Sequence, residues 1–256
     1  MTAVTLEKFF EENKKIAIAL SGGIDSIFLM YMAKKSGAEV RAYFAKSEFQ
    51  PEFELCDAKR AAEESGVPLR VAEISALENH EIAKNGKDRC YFCKKQMMTA
   101  IKKAAEEDGF SLICDGTNAS DDIEDRAGWR AIRELSVRSP LRECGITKAE
   151  IRRRAKEEGI SVWDKCSYAC LATRIKCDEE ITLEKLFKVS KSEELLMKRG
   201  FSDFRVRISG NRARIELRRA DEKRFLREKE NILEELGKYF DEIKEDWEAR
   251  DEKLTD

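Results

Sequence analysis

The segment Ser21–Ser26, Ser-Gly-Gly-Ile-Asp-Ser, carries the residues best suited to chemistry in this sequence. Gly22 and Gly23 have no Cβ, so a ligand can closely approach the backbone N–H groups of the turn. At the start of a helix, unpaired N–H groups and the helix dipole favour an anion such as pyrophosphate. Asp25 beside an anion either orients the turn or meets a magnesium ion. The segment predicts a phosphate site, with an ordinary glycine turn as the alternative.

Two common nucleotide-binding motifs do not fit this segment. It has no Gly-Lys-Ser/Thr, which excludes a Walker A loop, and its glycines lack the Gly-x-Gly-x-x-Gly spacing of dinucleotide folds. Five apolar residues precede the turn, and a helical pattern follows it. We therefore expect a strand, a glycine turn and a helix, with the anion at the start of the helix.

The eight cysteines form the second group of interest. Disulfides are rare in a reducing compartment, so clustered cysteines suggest a metal site. Cys90 and Cys93 form a Cys-x-x-Cys pair, and Cys166, Cys170 and Cys177 lie close together in the sequence. Two thiolates from one segment and a third from another can hold three irons of a 4Fe–4S cluster, whose fourth iron stays open to sulfide. A thioredoxin-type pair and plain buried residues are the alternatives for Cys90 and Cys93.

Cysteines also pack well as small buried hydrophobic residues. This is what we expect of Cys56 on a helix and of Cys114 on a strand. The single histidine, His80, leaves too few imidazoles for a histidine-based triad or a His-rich zinc site.

Alternating strands and helices must position these groups. The predicted strands are Ile16–Leu20, Val40–Phe44, Leu69–Ile74 and Ser111–Cys114, with a short extended piece at Ser161–Trp163. The predicted helices are Thr5–Asn13, Ser26–Lys35, Glu52–Ser65, Tyr91–Glu107 and Lys148–Glu158. This order predicts an α/β fold with a doubly wound, mostly parallel sheet, in which ligands bind beyond the carboxyl ends of the strands.

The pattern changes near residues 176–181. A predicted helix, Thr182–Arg199, precedes two alternating strands around Gly210-Asn211, which is a hairpin signal. Helix Asp221–Leu236 and a charged tail follow. We expect two domains, a nucleotide-binding domain at residues 1–178 and a smaller C-terminal α+β domain at residues 179–256.

One face of the predicted hairpin is rich in charge. The two-residue period of strands places Arg205 and Arg207 beside Arg212, Arg214 and Glu216 of the facing strand. Such a face can grip a substrate phosphate, bidentately in the best case. A solvated face with cross-strand ion pairs is the alternative.

Length, charge and hydropathy exclude several classes of protein. The 256 residues suffice for a sizeable core, and a formal net charge of −2 offers no general attraction for nucleic acid. No apolar run is long enough to span a membrane, and the N-terminal segment lacks the apolar region of a signal peptide. We therefore expect a cytoplasmic protein without membrane or nucleic-acid partners.

Ser21–Ser26 resembles the PP-loop of the ATP pyrophosphatases, and Cys114–Asp122 resembles the Gly-Thr-Asn segment that follows a later strand in several of these enzymes. The resemblance implies the PP-loop nucleotide-binding fold, with ATP and Mg²⁺ bound. A substrate oxygen attacks the α-phosphorus, pyrophosphate leaves, and ammonia, an amine or sulfur then displaces AMP. Asp25 is implied in catalysis. The implied ATP-binding residues are Ser21, Gly22, Gly23, Asp25, Ser26, Gly116 and Asn118.

Further segments narrow the resemblance. RCYFCKK, DGTNASDD, RSPLRECGITKAEIRR, SYACLATRI and FRVRISGNRARIEL together resemble the LarE-type sulfur transferases, which act in synthesis of the nickel-pincer nucleotide. The implied substrate is a pyridinium dicarboxylate mononucleotide, one carboxylate of which becomes a thiocarboxylate. The implied sulfur carrier is a 4Fe–4S cluster on Cys90, Cys93 and Cys170. In the alternative branch a cysteine gives up its own sulfur, and Cys170 is the candidate donor.

The resemblance also assigns residues near the substrate. Glu193, Arg205 and Glu216 match acidic and basic residues near the phosphate and metal site of the family. Arg174 lies four residues beyond Cys170, where it would meet an anion in that loop, and we expect both residues to act in catalysis. Ion pairing at the surface is the alternative for Arg174.

Other positions carry weaker predictions. Asp115, Asn118 and Arg126 flank the third ligand-facing loop, although Asp and Asn are ordinary in turns. Cys166 and Cys177 stand where relatives are expected to have proline, and either is a spare cluster ligand.

Three rival functions stay open on the sequence. One is an iron–sulfur tRNA thiolase, which would need a basic RNA-binding surface. Another is an ammonia-using ligase of the NAD-synthetase type, which needs no cysteine cluster. The third is a nucleotide-binding module with a structural zinc and no turnover. We expect a homo-oligomer that acts on a small nucleotide, with the source of the sulfide open.

Overall fold

Residues 5–122 and 127–250 are described by a computed structural model of the protein. Arg126, a candidate residue from the sequence, lies outside them. The described residues form two compact units. The first contains the residues up to Ala76 and those of Asp88–Lys165, and the second contains Leu77–Lys87 and the residues from Cys166 onward. The two-domain division at residues 178 and 179 stays a prediction.

The helices and strands are numbered in chain order. The α-helices are α1 (Leu6–Glu12), α2 (Ile24–Lys35), α3 (Glu52–Glu64), α4 (His80–Ala83), α5 (Arg89–Glu107), α6 (Ala127–Glu134), α7 (Pro140–Glu143), α8 (Lys148–Glu157), α9 (Leu183–Lys198) and α10 (Glu222–Gly237). The strands are β1 (Lys15–Ala19), β2 (Glu39–Lys46), β3 (Leu69–Glu73), β4 (Ile113–Cys114), β5 (Arg205–Ser209), β6 (Arg212–Glu216) and β7 (Glu242–Asp246). Short 3₁₀ helices lie at Leu171–Arg174 and Arg219–Asp221.

A parallel sheet of order β3-β2-β1-β4 forms the centre of the first unit. β1 is buried along four of its five residues, because both faces of the sheet are covered. Ile16 and Ile18 face a core shared with α1, α2, α3 and α8, whereas Ala17 and Ala19 face a core shared with α5 and Ile132 of α6. The doubly wound α/β fold is therefore confirmed.

The order of the strands places the two predicted nucleotide-binding segments side by side. β2 and β4 flank β1 on opposite sides, so the direction of winding reverses between β1 and β4. In open α/β sheets, ligands bind beyond the carboxyl ends of the strands at this reversal. Ser21–Ser26 follows β1, and residues 115–118 follow β4.

The second unit contains a three-stranded sheet of order β5-β6-β7 with helices α9 and α10. The predicted hairpin is confirmed: β5 and β6 pair antiparallel, with Arg207 opposite Arg214 across the turn at Gly210. Gly210 has a φ of +54°, which suits a tight turn that favours glycine. The helices with this mixed sheet form the expected smaller α+β part of the chain.

Several local predictions need correction. Ser161–Trp163 is a hydrogen-bonded turn rather than an extended piece, since Trp163 N–H donates to the Ile160 carbonyl. The charged tail contains β7, which pairs parallel with β6. Cys56 is exposed on α3, so its predicted burial is wrong, whereas Cys114 is fully buried as predicted.

Across residues 5–122 and 127–250, no helix is long and apolar enough to cross a membrane.

Candidate nucleotide site, cysteines and arginine cluster

The glycine turn between β1 and α2 has a conformation that requires glycine at one position. Gly22 has a φ of +80°, and a Cβ there would lie 2.5 Å from the carbonyl oxygen of Glu54. Gly23 is the extended N-cap residue of α2, and a Cβ there would meet only Ser21 Oγ at 3.5 Å. The backbone therefore excludes a side chain at Gly22, whereas the space in front of Gly23 is open.

Two hydroxyl groups stabilise this turn. Ser26 Oγ accepts a hydrogen bond from Ser21 N–H at 3.1 Å and donates to the Gly23 carbonyl at 3.1 Å. Ser21 Oγ lies 3.1 Å from Ser26 Oγ and accepts from Gly23 N–H at 3.4 Å. The Ser-x-x-x-x-Ser frame thus closes the turn on itself at the start of α2.

The segment after β4 packs directly against the glycine turn. A Cβ at Gly116 would lie 2.6 Å from the backbone nitrogen of Ser26, so the two segments touch through backbone atoms. Buried Asp115 accepts hydrogen bonds from Thr117 Oγ1 at 2.8 Å and from Ser139 Oγ at 2.7 Å. Buried Asn118 accepts from Ser120 N–H at 2.9 Å, which is a turn contact. The structure thus brings Gly116 to the turn and uses Asn118 to shape the loop.

A pocket opens where these two segments meet. It is lined by Ala19, Ser21, Asp25, Ser26, Lys94, Asp115, Gly116, Thr117 and Asp121. Lys94, Thr117 and Asp121 were not predicted as site residues. Lys94 Nζ lies 3.9 Å from Asp115 Oδ2 and supplies a positive charge to the pocket. Lys94 follows the Cys-x-x-Cys pair by one residue, but lysine is too common in this chain for the type to have indicated a role.

Asp25 is engaged by a lysine from another helix. Lys148 Nζ, at the start of α8, donates to both carboxylate oxygens of Asp25 at 2.8 and 2.7 Å. Burial raises the pKa of Asp25 above its ordinary value, while the charge and hydrogen bonds of Lys148 act in the opposite direction. The carboxylate at the end of the glycine turn therefore has a compensating cation.

The carbonyl of Gly22 is held by a second lysine. Lys165 Nζ donates to this oxygen at 2.9 Å and forms ion pairs with Asp57 at 2.7 Å and Glu54 at 3.2 Å. Burial raises the pKa of Glu54, although Lys165 lowers it. Neither Lys148 nor Lys165 was predicted as a site residue.

Two of the candidate cluster cysteines lie in the first two turns of α5, which begins at Arg89. Cys90 is exposed and Cys93 is half-buried, and residues three apart on a helix share a face. Arg89 Nη2 lies 3.2 Å from Cys90 Sγ, and Cys93 Sγ lies 3.8 Å from Met97 Sδ. Both cysteines belong to the same compact unit as the pocket.

The third candidate ligand, Cys170, belongs to the second unit, where it is half-buried at the start of a 3₁₀ helix. Cys166 is half-buried and Cys177 is exposed in the same unit. Within the described part of the chain, no group of three or more Cys, His, Asp or Glu side chains is placed to hold a metal ion. The set of three ligands therefore stays a prediction.

Arg174 and Glu193 form a buried ion pair in the second unit. Both side chains are 1% exposed, and Arg174 Nε donates to Glu193 Oε1 at 2.8 Å. Glu193 also accepts from Val206 N–H at 2.8 Å and from the Tyr168 hydroxyl. Arg174 Nη1 donates to the Ala169 carbonyl at 2.9 Å, so it holds the Cys170 loop from within. The surface ion pair considered for Arg174 is thus a buried one.

The arginine residues of the hairpin differ in accessibility. Arg205 is buried and donates to the carbonyl oxygens of Phe204 and Ser167, and burial lowers the pKa of Arg205 to about 10. Arg207 and Arg214 converge on Glu216, at 2.5 and 3.0 Å, and remain partly exposed.

Exposed Arg212 completes this face and pairs with Glu242 at 3.0 Å. The predicted face is confirmed as an arrangement, since its five charged residues share one side of the β5–β6 pair. The cross-strand pairs expected under the alternative interpretation are also present, as Arg207 pairs with Glu216. The arrangement by itself leaves both interpretations standing.

Comparison with known proteins adds independent findings. The family described as thiamine biosynthesis protein (ThiI) matches residues 11–197. Pyridinium-3,5-bisthiocarboxylic acid mononucleotide synthase of Lactiplantibacillus plantarum is 30% identical over 215 residues, which cover 83% of this chain and 78% of that protein. An uncharacterised protein of Methanocaldococcus jannaschii is 36% identical, with 91% of this chain and 88% of its own covered. One of Synechocystis is 36% identical, with 83% and 80% covered.

Proposed function

The chain belongs to the LarE-type sulfur transferases of the PP-loop ATP pyrophosphatase superfamily, and from this premise we propose that it converts a substrate carboxylate into a thiocarboxylate. The proposed substrate is a pyridinium dicarboxylate mononucleotide of the nickel-pincer nucleotide pathway. The 30% identity to the bisthiocarboxylic acid mononucleotide synthase, over most of both chains, is the observation that carries this proposal.

ATP binding is proposed at the pocket between the glycine turn and the segment after β4. Ser21 and Ser26 line this pocket with their hydroxyls, Lys94 adds a positive charge, and the Gly23 N–H donates to Ser21 Oγ at a long 3.4 Å in the same turn. These donors and charges suit the pyrophosphate part of ATP, including the charge that develops on it as it leaves. Attack by the substrate carboxylate on the α-phosphorus gives an acyl-adenylate and pyrophosphate, and Mg²⁺ would neutralise part of the phosphate charge.

The proposed sulfur carrier is a 4Fe–4S cluster on Cys90, Cys93 and Cys170. Two thiols one turn apart, on the same helix face and accessible at the start of α5, suit two ligands of such a cluster. When bound, the cluster would supply a sulfide that displaces AMP from the activated carbonyl. Loss of sulfur from Cys170 itself is the alternative source.

The substrate phosphate is proposed to meet the partly exposed arginines of the hairpin. Arg207 and Arg214 are accessible and converge on Glu216, whereas Arg205 is buried and bonded to backbone carbonyls. We therefore propose that Arg207, Arg212 and Arg214 contact the phosphate, and that Arg205, Arg174 and Glu193 hold the hairpin and the Cys170 loop in place.

The experiment is an anaerobic pyrophosphate-release assay with the reconstituted protein. ATP is supplied in three separate assays. The second substrate is the pyridinium dicarboxylate mononucleotide, transfer RNA, or a nicotinic acid nucleotide together with ammonia. Release that depends on the pyridinium dicarboxylate, with exchange of one carboxylate oxygen for sulfur detected by mass spectrometry, supports the proposal. Release that depends only on transfer RNA or on ammonia contradicts it and favours the corresponding rival.

The location and assembly of the protein stay predictions from the sequence: a cytoplasmic enzyme that forms a homo-oligomer and uses no membrane or nucleic-acid partner. The test of assembly is the molar mass of the purified protein by light scattering.

A further inference from the structure

Two lysines that do not line the pocket contact the glycine turn at different residues. Lys165 Nζ donates to the Gly22 carbonyl at 2.9 Å, and Lys148 Nζ donates to both oxygens of Asp25 at 2.8 and 2.7 Å. Lys165 therefore binds the backbone at the beginning of the turn, and Lys148 binds the Asp25 side chain at its end. All four residues belong to the first compact unit.

The contact at Gly22 determines where the next N–H group points. In a trans peptide the carbonyl oxygen and the N–H of the following residue point in opposite directions. Because Lys165 draws the Gly22 oxygen to its own side, the Gly23 N–H points away from Lys165. It lies 3.4 Å from Ser21 Oγ, and Ser21 lines the pocket. Lys165 thus fixes the Gly23 N–H on the side of Ser21, a residue that lines the pocket.

The contact at Asp25 removes an electrostatic obstacle. Asp25 lines the pocket, and an isolated carboxylate there would repel a triphosphate. Lys148 faces Asp25 from α8, and the charges of Arg152 and Asp121 also act on it, the first favouring and the second opposing the ionised form. With Lys148 paired to both oxygens, the pair is neutral and the carboxylate is fixed in orientation.

Helix α8 connects the two contacts. Lys148 and Arg152 are one turn apart on this helix, and side chains at this spacing share a face. Arg152 donates to the carbonyl oxygens of Trp163 at 3.1 Å and of Lys165 at 2.9 Å, which fixes the backbone that carries Lys165. One face of α8 therefore supports both lysines.

From these contacts we infer that Lys148 and Lys165 are positioning residues that preset the glycine turn for the phosphates of ATP. The inference rests on the proposed function, in that ATP is taken to bind at this turn. It adds that the turn is formed in advance by two cations that do not line the pocket, supported by one face of α8. Preorganised donors lower the cost of ordering a binding site at the moment of association.

The test compares Lys165→Met and Lys148→Met with the wild type and with Lys156→Met, which alters an exposed lysine of the same helix. Isothermal titration gives the dissociation constants of ATP, pyrophosphate and adenosine, and thermal unfolding gives Tm. We expect both variants to bind ATP and pyrophosphate about tenfold to a hundredfold more weakly, since each loses a charged hydrogen bond. Adenosine binding should match that of the Lys156→Met control in both variants, whereas Tm should fall in Lys165→Met, which leaves Glu54 and Asp57 without their cation.

Unchanged affinity for ATP in both lysine variants would overturn the inference. So would an equal loss of ATP and adenosine binding together with a lower Tm, because that pattern indicates a general structural role. A Gly23→Ala variant separates this failure from failure of the proposed site. If Gly23→Ala binds ATP as tightly as the wild type, the phosphates do not bind at this turn, and the proposed site itself is wrong.

Discussion

The three glycines at and beside the glycine turn, Gly22, Gly23 and Gly116, differ in how far their backbone conformation and surroundings exclude a side chain. Gly22 has a positive φ, Gly116 has no room for a Cβ, and Gly23 has neither restriction. Gly23 is therefore not required by the fold, so an effect of replacing it would report on ligand binding. This distinction makes the role of each glycine testable by one substitution.

Gly116→Ala and Gly23→Ala are expected to separate stability from binding. Gly116→Ala forces a Cβ to within 2.6 Å of the Ser26 backbone nitrogen, so we expect a loss of about 1–3 kcal/mol in the free energy of unfolding. Gly23→Ala meets only Ser21 Oγ at 3.5 Å and should leave stability nearly unchanged while weakening ATP binding. Urea unfolding and ATP titration of the two variants check this, and equal stability of both would contradict it.

Glu193 and Glu194 form a matched pair for the effect of burial on an ion pair. Glu193→Gln leaves the 1% exposed Arg174 with an uncompensated charge, and we expect a loss of about 3–5 kcal/mol in unfolding free energy. Glu194 pairs with Lys191 at the surface, so Glu194→Gln should cost no more than about 1 kcal/mol. Urea unfolding measures both, and similar losses would argue against the buried pair as a major support of the second unit.

At the scale of elements, one aspartate joins a helix to two strands. Asp108, the C-cap residue of α5, accepts from Arg41 of β2 at 2.8 Å, from Tyr43 of β2 at 3.0 Å and from Arg70 of β3 at 3.3 Å. Hydrogen bonds from Arg41 and Tyr43 hold the pKa of Asp108 below its ordinary value of 3.8. This cluster contributes to the placement of α5 against the sheet, and so to the placement of Cys90, Cys93 and Lys94.

Because the pKa of Asp108 is lower in the folded than in the unfolded protein, its ionised form stabilises the fold above the unfolded value. We expect Asp108→Asn to be less stable than the wild type at neutral pH. The difference in unfolding free energy between the two proteins should stay constant down to the unfolded pKa of 3.8. It should shrink as the pH falls further through the lower pKa of folded Asp108, where the wild type also loses this charge. Urea unfolding across this range is the measurement, with Glu107→Gln as the neighbouring control. A difference that stays constant below pH 3.8 as well would contradict the assignment.

At the scale of the whole molecule, the proposed chemistry needs an ATP site and a sulfur source in one chain. The proposed ATP site lies at the ends of β1 and β4, whereas the proposed ligands come from α5 and from the loop at Cys170. Cysteines outside this set differ in burial, from exposed Cys56 to fully buried Cys114. The exposed one provides a control for cluster assembly.

Anaerobic reconstitution is expected to distinguish the cysteines. Cys90→Ser, Cys93→Ser and Cys170→Ser should each retain less than half the iron and sulfide of the wild type, because each removes a cluster ligand, whereas Cys56→Ser should retain all of it. Iron and sulfide analysis with the visible absorption spectrum checks this. Full iron content in Cys170→Ser, with loss in Cys166→Ser or Cys177→Ser, would instead assign the third ligand to one of these two residues.

The sequence by itself determined the strand–turn–helix at Ser21–Ser26, the doubly wound fold, the hairpin at Gly210-Asn211 and the family. These features depend on local properties, such as glycine at a turn or the period of apolar residues, which are visible in neighbouring letters. Strand β7 was missed because Glu242–Asp246 is a charged segment whose pairing with β6 is a long-range contact.

Only the tertiary structure decided which charged residues contact the glycine turn. Lys148 lies 123 residues from Asp25 and Lys165 lies 143 from Gly22 in the chain, and nothing in the types of 49 lysines and arginines marks these two. It also decided that Arg174 and Arg205 are buried, whereas Arg212 is exposed, although all three are arginines. The physical reason is that a charge acquires its role from its partners and from its distance to water, and both are set by residues far apart in the chain.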